Sequence, residues 1–178
     1  HGPKGIGLSL ISKGINLNPF IIGGPQERGL RAGTEAVDRI VGMQKALEIS
    51  YKNQESEKKH IQELKKYFVQ KLRNIFPEAH FNGHSENFEK SSFKIVNVAI
   101  PINTPKADLI DFHLDLKGIA CSKGSACQSG SSKGSHVIER FKNNNNILKK
   151  YPSLRFSFSF LNTKKEIDYL MTSLLELK

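Results

Sequence analysis

The sequence has few cysteines, few acidic residues for its number of basic ones, and no long apolar run. Its 178 residues include two cysteines, Cys121 and Cys127. That is too few for a disulfide framework, and C-x5-C matches neither the usual zinc spacing nor the thioredoxin spacing. At least one thiol is therefore expected to be free. No apolar stretch approaches the length of a bilayer span, and no charged-then-apolar leader ends in small residues, which makes a cytoplasmic address the default. Internal repeats are absent, and so are RNA- and DNA-binding motifs. Lys and Arg number 27 against 17 Asp and Glu, a net charge of +10. Such an excess suits a nucleic-acid or acidic-protein partner. The lysines are nevertheless scattered, and between Glu55 and Lys71 they alternate with Glu57 and Glu63 as on a solvated helix face.

With 38% apolar and 25% charged residues, the chain reads as soluble and globular, long enough for one domain or for one domain plus part of another. It opens on His1 and runs directly from turn chemistry, G-P-K-G, into an apolar stretch, as expected of a protein entered midway. Ile6 to Ile11 alternates as a strand would, and Asn18 to Gly33 is a loop rich in glycine, proline and charge. From Glu35 to Phe76 the apolar spacing is helical, first through Val37, Ile40, Val41 and Leu47, then through Ile61, Leu64, Phe68, Leu72 and Ile75. This predicts two helices or one long bent one. A polar connection, Pro77 to Ser92, follows.

Val96, Val98 and Ile100 mark a largely buried strand stopped by Pro101. Thr104-Pro105 has the form of an N-cap with proline at the first helical position, ahead of a helix lined by Ala107, Ile110 and Leu114. Gly118 ends that helix, and Ile119-Ala120-Cys121 is expected as a short strand. His136 to Phe141 resembles one or two helical turns, and Asn143 to Asn146 reads as a surface loop. Leu154, Phe156, Phe158 and Phe160 face one way, with Arg155, Ser157 and Ser159 facing the other. Thr163-x-x-Glu166 is a capping box opening a helix with the stripe Ile167, Leu170, Leu174 and Leu177. Such an order builds an α+β sandwich, helices covering one face of a small sheet.

Few residues are candidates for chemistry. Cys127 sits among Gly124, Gly130 and Gly134 with Lys123 and Lys133 nearby, so a movable thiolate and an inert linker residue are both open readings. Cys121, at an expected strand end, reads as core. The loop Gly23 to Thr34 carries Arg28, Arg31 and a threonine just before a helix. It can hold an anion, or its arginines can pair with Glu27 and Glu35. The fork of Arg155 suits a carboxylate, although an exposed strand face also tolerates it. Gly2 to Gly7 lacks the spacing of a phosphate cradle, and His136 reads as structural.

H-G-P-K-G-I-G, G-G-P-Q-E-R-G-L-R-A-G-T-E, G-S-A-C-Q-S-G-S and L-R-F-S-F-S occur in this order. Together they resemble the C-terminal half of a NifS/IscS-type cysteine desulfurase, a pyridoxal-phosphate enzyme of the class V aminotransferase group, and the resemblance covers essentially the whole chain. Two departures stand out: Gly24-Pro25 where the family commonly has a third glycine, and Cys121-Ser122-Lys123 before G-S-A-C. The long loop around G-S-A-C resembles the IscS/NifS branch more than the SufS one.

The resemblance implies an α/β parent of fold-type I. Residues 1–50 would end its cofactor-binding large domain, and 51–178 would form a small α+β domain carrying a mobile cysteine loop, 122–135. It implies that the Schiff-base lysine lies two residues before His1, that Lys4 is not that lysine, and that this chain alone is inactive. Thr34 matches the residue that reaches the phosphate of the partner subunit's cofactor, and Arg155 the one that grips the substrate carboxylate. Cys127 matches the thiol that takes sulfur from L-cysteine as a persulfide, leaving L-alanine. The implied partners are a second copy of the chain in a homodimer and a sulfur acceptor, an iron–sulfur scaffold or a tRNA-thiolation protein. Cys127 is also a candidate transient iron–sulfur ligand. A related enzyme acting on selenocysteine or another amino acid is the near alternative. A basic interaction module with a redox-sensing thiol is the distant one.

Overall fold

The computed structural model describes residues 1–102, 107–123, 135–142 and 149–178. The chain divides into two compact units, His1–Gln54 and Glu55–Lys178. Helix α1, Val37–Ile75, is a single helix of 39 residues that contributes to both. Thr104-Pro105 and Asn143 to Asn146 lie outside the described residues.

In the first unit the strand expected over Ile6 to Ile11 does not form. Alternation makes a strand only where a neighbour takes up its backbone hydrogen bonds, and among the described residues this unit contains no strand to pair with. Leu8, Leu10 and Ile11 are exposed, as are Val37, Val41 and Leu47 on the first part of α1. The G-P-K-G turn is fastened to α1. Arg39 Nη1 donates to the Gly5 carbonyl at 3.4 Å, and Pro3 lies so near Gly42 that a Cβ there would sit 3.2 Å from the proline ring.

The second unit holds a three-stranded antiparallel sheet of order β1-β2-β3, with β1 His80–Phe81, β2 Ile95–Ala99 and β3 Ser153–Ser157. The short β1 falls inside the stretch expected to be a polar connection. Val96 pairs with Phe156, and Val98 with both Leu154 and Phe81, so these five side chains share one face. On that face the buried stripe of α1, Ile61, Leu64, Phe68 and Leu72, joins one core with Ile167, Leu170 and Leu174 of α4, Lys164–Leu175. The Phe68 ring centroid is 5.1 Å from that of Phe156 and 5.5 Å from that of Phe158. The expected capping box opens α4, with Glu166 N–H donating to Thr163 Oγ1 at 3.3 Å and Thr163 N–H to Glu166 Oε2 at 2.6 Å.

Helix α2 runs Ile110–Asp115 and buries Ile110 and Leu114. It ends as expected at Gly118, whose φ of 73° lies in the left-handed region that glycine enters at no steric cost. Ile119 N–H then donates back to the Leu114 carbonyl at 2.9 Å. Ile119 and Cys121 pack against the core. The strand expected at Ile119 to Cys121 is instead one isolated bridge, Ser122 to Arg155, because only Ser122 comes into register with β3. Helix α3, His136–Lys142, lies where helical turns are expected. No helix among the described residues is long and apolar enough to cross a membrane.

Candidate functional site

The loop from Gly23 to Thr34 is locally unusual. Within its 3-10 turn, Gln26–Gly29, both Glu27 (φ 49°) and Arg28 (φ 58°) lie in the left-handed region. Non-glycine residues held there cost roughly 1–3 kcal/mol each and collect at ligand clamps. The loop is pinned by Ala32 N–H to the Ile21 carbonyl at 3.1 Å and by Gly33 N–H to Gln26 Oε1 at 3.2 Å. Among the described residues, Arg28 and Arg31 form no ion pair with Glu27 or Glu35. Arg31 Nη1 instead donates to the Gly33 carbonyl at 3.2 Å. Thr34 is exposed just ahead of α1. An exposed hydroxyl, a helix N-terminus and two arginines without carboxylate partners make a donor set suited to a phosphate.

In the second unit, Arg155 stands on the face of the sheet away from the aromatic core, directly opposite Asn97. Its backbone is bonded to Ser122 in both directions, at 3.1 and 2.7 Å. Among the described residues, none of the ion pairs involves its half-buried guanidinium. Around it the sheet face is polar. Asn82 Nδ2 donates to Asn97 Oδ1 at 2.6 Å and to Ser153 Oγ at 3.1 Å, and Asn97 N–H donates to Ser85 Oγ at 3.1 Å. These neighbours were not singled out from the sequence. The only local signals are an Asn-Gly pair at residues 82–83 and one asparagine inside an apolar strand.

Next to Ser122, Lys123 Nζ donates to the carbonyls of Ala107 and Asp108 at 3.2 and 2.6 Å. Cys121 is half-buried against the core as expected, and burial, helped by the carboxylates of Asp111 and Asp115, pushes its thiol up to about 11. A thiol held neutral in this way is a poor nucleophile. Cys127, as the sulfur-accepting thiol and as the candidate iron–sulfur ligand, lies outside the described residues. Among those described, no group of three or more His, Cys, Asp or Glu side chains is arranged to hold a metal.

The family model described as "Aminotransferase class-V" matches residues 1–170. The chain is 34% identical over 171 residues to "Cysteine desulfurase IscS" of Dictyoglomus turgidum, covering 96% of this chain and 42% of that protein. It is 36% identical to "Putative cysteine desulfurase IscS 1" of Bacillus subtilis, covering 94% of this chain and 42% of that protein. Among solved structures it superposes on a "NIFS-LIKE PROTEIN" with TM-score 0.79 and 31% identity, over 99% of this chain and 43% of the other. A NifS-like protein from Rickettsia africae gives TM-score 0.69 at 26% identity, over 92% and 40% respectively. The chain thus shares the fold of the corresponding part of NifS-like proteins and spans about two fifths of the relatives' length. With the match extending from His1 through residue 170, it belongs to the aminotransferase class-V family.

Proposed function

We propose that this chain is the C-terminal portion of a cysteine desulfurase, which takes sulfur from L-cysteine, releases L-alanine and holds the sulfur as a persulfide on Cys127. The observation that carries this reading is Arg155. It presents a cation without a carboxylate partner among the described residues, on a polar sheet face whose adjoining strand residue is Ser122. Ser122 stands five positions before Cys127, and five residues of extended chain reach at most about 18 Å. The names carried by the relatives support the same assignment, and the family match over residues 1–170 disfavours a basic interaction module.

In this reading, residues up to about Ser50 end the large domain and the remainder forms the small domain. The exposed apolar side chains of the first unit, Leu8 and Leu10 among them, fit burial by further protein, since apolar patches of this kind rarely face water. The cofactor is pyridoxal phosphate, and the donor set at Thr34 fits its phosphate across a homodimer. When bound, it supplies an electron sink that weakens the C–S bond of the substrate.

Arg155 binds the substrate carboxylate in a charge-assisted fork. The Cys127 thiolate attacks the substrate sulfur. An S–S bond forms as the C–S bond breaks, the electron pair stays with the substrate carbon, and that carbon is protonated on the way to alanine. The sulfur then passes to an acceptor protein in iron–sulfur assembly or tRNA thiolation. The test is to assay the full-length protein for alanine release and for labelled sulfur on the polypeptide. Cys127→Ser should abolish the protein-bound sulfur, and Arg155→Ala should raise KM for L-cysteine by tenfold or more, about the worth of a hydrogen bond to a charged group. Unchanged sulfur loading in Cys127→Ser would refute the proposal.

A further inference from the structure

Asn97 lies directly across from Arg155 in the β2–β3 ladder. Both backbone hydrogen-bonding groups of Arg155 are taken by Ser122 on its other side. The 97–155 pair is therefore of the non-hydrogen-bonded kind, in which Cα atoms approach to about 4.5 Å and the side chains are close neighbours on one face. What Asn97 offers there is set by its other contacts. Its Oδ1 accepts from Asn82 Nδ2 at 2.6 Å, and its carbonyl accepts from Asn82 N–H at 2.9 Å. Asn82 itself is only 6% exposed and is tied to Ser153 Oγ at 3.1 Å. With the oxygen of its carboxamide committed inside the sheet face, the remaining polar group of Asn97 is Nδ2, a donor.

We propose that Asn97 Nδ2 is a second donor to the substrate carboxylate beside Arg155, fixed in orientation by Asn82. This rests on the reading of Arg155 given above. A carboxylate has lone pairs enough for both a guanidinium and an amide. The neutral carboxamide also matters in a negative sense. Aspartate at this position would keep the acceptor that Asn82 needs but would set an anion next to Arg155, capturing the guanidinium that the substrate requires.

The experiment uses the full-length, pyridoxal-phosphate-loaded protein with Asn97→Ala, Asn97→Asp and Arg155→Ala. Three quantities are read: KM and kcat for L-cysteine, the dissociation constant of L-alanine by calorimetry, and that of cysteamine, which keeps the thiol and amine but lacks the carboxylate. Asn97→Ala should raise the L-cysteine KM and the L-alanine constant about tenfold with kcat changed less than about twofold and cysteamine unaffected. Asn97→Asp should weaken both carboxylate ligands further. If Asn97→Ala leaves them unchanged while Arg155→Ala does not, this inference fails and the role of Arg155 stands. If cysteamine weakens equally, Asn97 only supports the fold and the inference is overturned. An ineffective Arg155→Ala overturns the carboxylate site itself and the inference with it.

Discussion

Ser122 and Arg155 exchange two backbone hydrogen bonds, Ser122 N–H to the Arg155 carbonyl at 3.1 Å and Arg155 N–H to the Ser122 carbonyl at 2.7 Å. This single bridge holds the chain leaving α2 against β3 and turns the Arg155 backbone away from Asn97. Proline at residue 122 has no N–H to give. Ser122→Pro is expected to speed hydrogen exchange of the Arg155 amide in this chain at least tenfold, the equivalent of about 1.4 kcal/mol of lost protection. Ser122→Ala, which keeps both backbone groups, should exchange as the unaltered chain does. Equal protection in both variants would remove the bridge from any part in holding Arg155.

The capping box of α4 makes a second prediction, about stability. Thr163→Ala removes the Oγ1 acceptor of the Glu166 N–H, and loss of such a cap costs about 1 kcal/mol. Thr163→Ser retains the acceptor and should stay within a few tenths of a kcal/mol of the original. Urea unfolding followed by far-ultraviolet circular dichroism separates the two. Because α4 contributes Ile167, Leu170 and Leu174 to the core, fraying at its first turn should lower the stability of the second unit.

Those features that depend on local pattern were readable in the sequence. The helical stripe from Ile61 to Leu72, the capping box at Thr163 and the alternation around Phe156 each follow from spacing or from adjacent side chains. Pairing between distant segments was not readable in the same way. Whether Ile6 to Ile11 becomes a strand depends on an edge that the first unit lacks, and the Ser122–Arg155 bridge depends on how α2 ends. The carboxamide pair Asn82–Asn97 was equally hidden, since it arises only when the two-residue β1 meets β2. Arg155 was identifiable as an arginine on a serine face. Its neighbours were not.

Cys121 gives a pH prediction with a definite sign. Burial and two nearby carboxylates raise its thiol from 9.0 to about 11. Between these values the unfolded chain loses a proton that the folded chain keeps. This contribution to stability is therefore lost as pH rises through that window. Cys121→Ser should lack this part of the decline when urea midpoints at pH 8 and pH 10.5 are compared. At pH 8 the thiolate fraction is about a hundredfold lower in the folded than in the unfolded chain, so alkylation of Cys121, located by mass spectrometry, should be correspondingly slow until urea is added. Rapid native-state labelling would contradict the burial of this thiol.

Lys65 should show the opposite slope. It is 0% exposed, and its Nζ donates to Ser91 Oγ at 2.7 Å and to the Ser92 carbonyl at 2.8 Å, with the Phe88 ring centroid 5.7 Å away. No carboxylate accompanies these contacts among the ion pairs of the described residues, and burial holds the ammonium below its ordinary value of 10.5. As pH falls from 10.5 towards the depressed folded value, the unfolded chain takes up a proton before the folded one does, so stability falls with it and rises again as pH climbs. Lys65→Met keeps an unbranched stem and removes the titrating group. The unaltered chain should therefore gain stability relative to Lys65→Met as pH is raised from 8 towards 10.5, in the same range where Cys121 makes it lose stability. Measuring Lys65→Met in a Cys121→Ser background isolates the lysine. If the pH slopes of Cys121→Ser with and without Lys65→Met coincide, the ammonium is as well solvated folded as unfolded, and the two serine contacts fully replace its water.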